Sequence, residues 1–260
     1  MGRSTYGRSM ATRLHIGAKE LKGDLAAYAK RFDMLEVRGV AASNLKQAPS
    51  DATLRRWRKA APPKFEFSVV AGPAIGKLKA GEAFETELAA MLKTATVLEA
   101  RVLLVSTAGD VTPGKLWRDR LEKLLDRLPR DASTVAWEPS GLWETEDAAA
   151  QAKKWGIVVA VDPARDPMPE GPVAYGRLRA AGGTRAFSTA ALHKVADTIG
   201  ERRDAYVVIE TTGALKEGKI LRALVREAKA GKRGGLGRLL RPRNAPLATG
   251  GGLGDDEQEE

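Results

Sequence analysis

The chain has 260 residues, 43% of them hydrophobic, a formal net charge of +10 and no cysteine. Its length suits a single α/β barrel with a sizeable buried core, and the lack of cysteine excludes disulfides, thiolate metal sites and cysteine nucleophiles. No apolar run reaches the roughly 18 residues of a membrane span, and the opening MGRSTYGRSMATR has no apolar stretch to act as a secretory signal, so a cytoplasmic protein with no membrane partner is expected.

Residues 1–12 are expected to form a flexible segment. From residue 13, short β-branched runs alternate with longer stretches of helical period, the pattern of βα units around a parallel sheet. Strands are predicted at 14–17, 34–40, 65–71, 101–107, 134–138, 157–162, 173–179 and 206–210, and helices at 21–32, 51–61, 84–98, 113–128, 144–155, 188–199 and 215–230. Ser50 or Asp51 and Ser188 are candidate N-caps, and Pro113 suits a first helical turn. The sixth crossover, DPARDPMPEGP at 162–172, is too rich in proline for a helix. Eight strands with helical crossovers predict a single-domain (β/α)8 barrel over 13–230, with an open doubly wound sheet as the alternative.

Past residue 230 the sequence reads GKRGGLGRLLRPRNAPLATGGGLG and then DDEQEE, whose glycine, proline and blocks of like charge predict a disordered tail over 231–260. Positive charge crowds both ends, in Arg3, Arg8 and Arg13 and again between Lys229 and Arg243. Two readings stand: a solubilising extension, or weak, nonspecific nucleic-acid binding through the tails.

In a barrel, side chains alternate between the interior and the helix layer, so parity sorts each strand. It places Glu36 with Arg38, Ala136 with Glu138, Val158 and Ala160 with Asp162, and Tyr175 with Arg177 and Arg179; Glu210 ends the last strand. These charges converge on the C-terminal mouth, where barrel active sites lie. Neighbouring strands are about 4.8 Å apart, so Glu138, Asp162 and Arg177 are expected in a row. One reading makes Glu36, Glu138 and Asp162 candidate catalytic groups for acid/base work on a small polar or anionic ligand. Arg177, Arg38, Arg179, Glu210 and Trp143 then bind that ligand. The other reading is an internal ion-pair network that fixes the mouth.

Histidine occurs twice, so a histidine-rich zinc cluster is excluded: His15 is expected as a packed core residue and His193 on a helix surface. An oxygen-only divalent-cation site from Glu36, Glu138 and Asp162 stays open. No P-loop, dinucleotide glycine fingerprint or GxSxG elbow is present, so no nucleotide cofactor is expected. The AAGGT stretch at 180–184, flanked by Arg179 and Arg185, reads either as an anion cradle that TTG at 211–213 would join or as an ordinary loop. Trp57, Trp117, Trp137 and Trp155 are expected to anchor the helix-facing core, and Trp143 to line the mouth.

The order IGA (16–18), YAKRFDMLEVRGV (28–40), LRRWRKAAPPKFEFSVVA (54–71), VAWEPSGLW (135–143), VDP (161–163) and YGRLRAAGGTRAFS (175–188) resembles the YecE-like barrels, the family of unknown function numbered seventy-two. The likeness spans nearly all of 14–230. It implies a barrel of the shape shared by sugar isomerases and endonuclease IV-like enzymes, with no established activity to inherit. It matches Glu36 to the family's strand-two acidic residue, Glu138 to the one opening the strand-five motif, and Asp162 and Arg177 to polar positions on strands six and seven. The chain also departs from the pattern. GAKEL replaces GTSGW after strand one, Val70 stands for a lysine, Arg179 for the histidine of RLHG, and Glu210 and Thr211 for asparagines, which together imply a divergent member.

Overall fold

In a computed structural model of the chain, residues 12–179 and 186–239 are described, with side chains as far as 228. The expected flexible start, the AAGGT loop and most of the expected tail therefore lie outside the described residues. Eight strands form one parallel sheet: β1 (Arg13–Ala18), β2 (Met34–Arg38), β3 (Glu66–Val70), β4 (Val102–Ser106), β5 (Thr134–Glu138), β6 (Val158–Val161), β7 (Val173–Leu178) and β8 (Asp204–Ile209). Their hydrogen-bonded order is β1-β8-β7-β6-β5-β4-β3-β2. Around them run α1 (Leu25–Ala29), α2 (Asp51–Ala60), α3 (Pro73–Gly76), α4 (Glu82–Leu98), α5 (Lys115–Leu125), α6 (Thr145–Trp155), α7 (Thr189–Ile199) and α8 (Ala214–Leu239). This is a nearly closed (β/α)8 barrel, as the strand count predicts.

Parity sorts the two cores. Met34, Val70, Leu104, Ala136, Ala160, Tyr175, Tyr206 and Val208 pack together inside the barrel. Alternate residues such as Leu35, Phe67, Leu103, Val135, Trp137 and Val207 face the helices. Ser50 and Ser188 cap α2 and α7, accepting from Thr53 N and Ala191 N.

Several boundaries move, for local reasons. Helix α1 is shorter than the predicted 21–32, because Gly23 takes a left-handed φ of 79° and Asp24 then caps the helix by accepting from Ala27 N. Pro113 precedes Gly114, the N-cap of α5, and so lies outside the first turn. Strand β2 stops at Arg38, because Gly39 turns under β3: its N–H donates to Val70 O at 2.9 Å, and a Cβ there would stand 2.6 Å from Gly72 N. Helix α8 runs to Leu239, past the end expected at 230.

The sheet closes without a ladder between β1 and β2. Asp33 N donates to Ile16 O at 2.8 Å, and the Asp33 carboxylate accepts from Ile16 N at 3.2 Å. The buried Tyr28 hydroxyl accepts from Ala18 N at 2.8 Å and donates to Met34 O at 3.0 Å. Gly17 permits the approach, since a Cβ there would stand 2.9 Å from Met34 Cγ. Two side chains thus satisfy backbone groups that a ladder would otherwise pair.

The sixth crossover has no helix, as its prolines predict. Arg202 holds it instead, donating to the carbonyls of Met168 at 3.1 Å and of Pro169. Where a crossover helix would lie, a cavity of about 760 Å³ opens between α6 and the 169–174 segment.

Candidate functional site at the barrel mouth

Arg177, 6% exposed, sits at the centre of the mouth. Its Nη1 donates to Glu138 Oε2 at 2.8 Å and its Nη2 to Glu36 Oε1 at 3.0 Å, and Nη2 stands 3.2 Å from Glu210 Oε1. Tyr175, one interior layer below, donates its hydroxyl to Glu36 Oε2 at 2.8 Å. Because that proton is engaged, Ser68 Oγ, 3.0 Å from the tyrosine oxygen, acts as the donor in their contact. Sheet register sets these neighbours, pairing Glu36 with Ser68 and Ser106 with Glu138. Ser106 Oγ donates to Glu138 Oε2 at 2.6 Å, and Arg179 donates to Glu138 Oε1.

Two arginines reach outward from this buried array. The Arg179 side chain is 48% exposed and that of Arg38 41%. Arg38 lies 3.5 Å from Glu36 and 3.6 Å from Glu210, beyond a well-formed hydrogen bond. Two atoms inside the array, Arg177 Nε and Glu210 Oε1, are buried and have no hydrogen-bond partner among the described residues. Burial pushes the Glu36 carboxyl above the usual range against the opposing pull of Arg177 and Tyr175. Burial also lifts the Tyr175 hydroxyl well above its ordinary value, so it stays a neutral donor. For Arg177 burial works against the charge, but the three carboxylates outweigh it and hold the guanidinium protonated.

The structure thus brings Glu36, Arg38, Glu138, Arg177, Arg179 and Glu210 together. Asp162 does not join the row expected with Glu138 and Arg177. Strand β6 ends at Val161, and the Asp162 carboxylate turns into its own loop, accepting from Ala164 N at 3.1 Å with Arg165 Nε 3.7 Å away. Burial raises its carboxyl, opposed by the bonds from Ala164 N and the Arg179 backbone. Trp143 does not line the mouth either. It is buried edge-on against Trp137, with ring centroids 4.8 Å apart, and its indole N–H donates to Val111 O at 2.9 Å. Trp57, Trp117, Trp137 and Trp155 pack in the outer core as expected.

The donor set does not fit the cation site. Both oxygens of Glu36 and of Glu138 already accept from side chains, Asp162 stands apart, and no group of three metal-ligating side chains occurs among the described residues. His15 stacks on Tyr206 at 4.7 Å near the opposite end of the barrel, and His193 is exposed on α7.

Sequence reasoning passed over Ser68, Ser106 and Glu87. Glu87 on α4 is 3% exposed, and its carboxylate accepts from Ala42 N at 2.9 Å and Ala74 N at 2.7 Å, tying the segment after β2 to the first turn of α3. Its signal was legible: three residues after Phe84 and four before Met91, it falls on the apolar stripe of α4.

Comparison with solved structures supports the fold. A DUF72 family protein from Enterococcus faecalis V583 aligns with a TM-score of 0.64 at 16% identity, over 83% of this chain and 98% of that one. Another from Thermotoga maritima MSB8 gives 0.59 at 17%, over 81% and 99%. A xylose isomerase domain containing protein from Salmonella typhimurium LT2 gives 0.53 at 15%, over 86% and 98%. Such identities speak to architecture alone. No curated protein matches the chain. Residues 9–240 match the family model described as protein of unknown function DUF72. With that match spanning the whole barrel, the chain belongs to the DUF72 family.

Proposed function

We propose that the barrel mouth binds a small polar anion, with Arg38 and Arg179 gripping its charge and Glu210 accepting from its hydroxyl groups. The observation that carries this reading is unmet hydrogen-bonding capacity at the C-terminal end of the strands. Among the described residues Arg177 Nε and Glu210 Oε1 have no hydrogen-bond partner, Glu210 is held by ion-pair contact with Arg177, and Arg38 stands off both of its carboxylates. A polar group left short of a full hydrogen bond costs about 1–3 kcal/mol, so a ligand that bonds the exposed Arg38 and the edge of Glu210 gains from the deficit. Guanidinium groups suit carboxylate and phosphate heads because two N–H groups match two oxygens.

Glu36 and Glu138 serve in this reading as anchors for Arg177, since donors already cover their oxygens. A second reading, acid/base chemistry on the bound anion, draws on one observation: Asp162 keeps a carboxyl raised by burial and lies beside Arg179. Thermal-shift measurement against hydroxylated anions (tartrate, citrate, glucuronate, glucose 6-phosphate), with neutral glucose as control, tests the first reading. At least one anion is expected to raise the melting temperature, and Arg38→Ala and Arg179→Ala are each expected to weaken its affinity about tenfold. No shift from any anion, or a shift that both variants retain, overturns it. NMR of the same mixtures reads any conversion, which the second reading expects Asp162→Asn to abolish with binding retained.

A further inference from the structure

A second concavity, open to solvent and of about 430 Å³, lies beyond Glu210, between the turn after β1 and the start of α8. That volume falls within the range of small-molecule pockets, about 300–1,000 Å³. Ala18, Phe32, Ala214 and Leu215 supply apolar surface, and Lys19, Lys22 and Arg31 stand around it. All three cations are exposed, and among the described residues none is paired with a carboxylate.

Two carboxylates also line the cavity. Glu210 is turned to Arg177 at 3.2 Å and to Arg38 at 3.6 Å, so its charge is compensated inside the mouth. Glu20 is exposed, leaving three cations against one open carboxylate. A concave surface of one net sign with apolar walls concentrates the opposite charge. The apolar lining adds a second requirement, because a bare inorganic ion would leave it uncovered.

We infer that this cavity is a binding site for a small anion with an apolar body, of the class of an aryl phosphate or aromatic carboxylate. The charged head lies among Lys19, Lys22 and Arg31, and the apolar body rests on Phe32 and Leu215. Lysine offers a point charge and arginine a two-pronged donor, so phosphate and carboxylate heads both fit. This site does not rest on the reading of the mouth, whose cations are Arg38 and Arg179.

Isothermal titration of the full chain at constant ionic strength tests the site, with phenyl phosphate, benzoate, inorganic phosphate and benzyl alcohol as probes. Phenyl phosphate or benzoate is expected to bind about tenfold more tightly than either inorganic phosphate or benzyl alcohol. Lys19→Ala and Arg31→Ala are each expected to weaken that binding about fivefold. Leu215→Asp, at a partly exposed position, is expected to abolish the advantage of the aromatic probe. Equal affinities for phenyl phosphate and inorganic phosphate overturn the inference, as does the absence of binding. Loss of binding in Arg179→Ala with retention in Lys19→Ala also overturns it, by moving the ligand to the mouth.

Discussion

The two ends of the barrel carry ion clusters built on opposite rules. At the N-terminal end one carboxylate serves several donors. Asp204 Oδ1 lies 2.6 Å from Arg13 Nε and 3.4 Å from His15, and Oδ2 accepts from Arg13 Nη2 at 2.8 Å and Arg203 Nε at 2.9 Å. At the mouth three carboxylates crowd one buried guanidinium with Arg38 and Arg179 at the rim, and among the described residues Arg177 Nε and Glu210 Oε1 have no hydrogen bond. The carboxyl groups respond in opposite directions. Burial works to raise both, but the donors around Asp204 outweigh it and hold that carboxyl below the usual range, whereas Glu36 is raised. Burial is the largest single influence on both carboxyls, and it is the added donors around Asp204 that together reverse its direction. A saturated cluster suits a structural plug, and an unsaturated one suits a place where something binds.

The largest expected effect breaks the mouth outright. Arg177→Met leaves Glu36, Glu138 and Glu210 facing one another without their shared cation, and removing one partner of a buried ionic array costs about 3–5 kcal/mol. Urea unfolding at neutral pH should show that loss, and it should shrink in mild acid as the carboxylates take up protons. A loss below about 1 kcal/mol would mean that solvent already screens the array.

Asp204→Asn at the other end should cost less, about 1–2 kcal/mol, because the Arg13 and Arg203 side chains are 64% and 52% exposed and can be rehydrated. Here the pH dependence carries the sign. A carboxyl lowered by folding contributes stability above its unfolded value and loses it as pH falls through the folded one. Wild type should therefore lose stability across the acidic limb, and the asparagine variant should lose less over the same range. An unchanged acid limb would show that Asp204 is not held low.

Why the ends differ was only partly legible in the sequence. Alternation along a strand brought out Glu36 with Arg38 and Arg177 with Arg179, because parity depends only on the strand's own residues. It did not bring out Ser68 or Ser106 as partners, since their places beside Glu36 and Glu138 depend on the register between strands. Asp162 keeps the right parity, but it stands past the end of β6 and is captured by its own turn. Trp143 follows Gly141, whose φ of 73° redirects the chain, so counting from β5 misplaces it. Eight spaced strands favoured the barrel but left the open sheet as an alternative, which the closing contacts at Tyr28 and Asp33 decide.

A subtler test reverses the sign. Folding raises the Glu36 carboxyl, so this group costs stability as pH rises from its unfolded value through its folded one. Glu36→Gln should remove that slope. The amide oxygen can still accept from Tyr175, but its NH2 faces or crowds Arg177, so a net change within about 1 kcal/mol is expected at neutral pH. Stability curves at mildly acidic and mildly basic pH should run closer together in the variant than in wild type. If the gap widens instead, Arg177 dominates Glu36 and the contrast with Asp204 fails.

Ser106→Ala should have a similarly small effect, and it reports whether the mouth acts as one unit. The serine supplies a single 2.6 Å bond to Glu138 Oε2, which also accepts from Arg177. Independent bonds predict a loss of about 1 kcal/mol and no effect on a second substitution. In a coupled array, loosening Glu138 also frees Arg177 from one of its anchors. A double-mutant cycle between Ser106→Ala and Glu36→Gln separates the two cases, although the pair never touches. A coupling energy above about 0.5 kcal/mol is expected, because Arg177 bridges the two carboxylates. Additivity would mean that each carboxylate holds the arginine on its own.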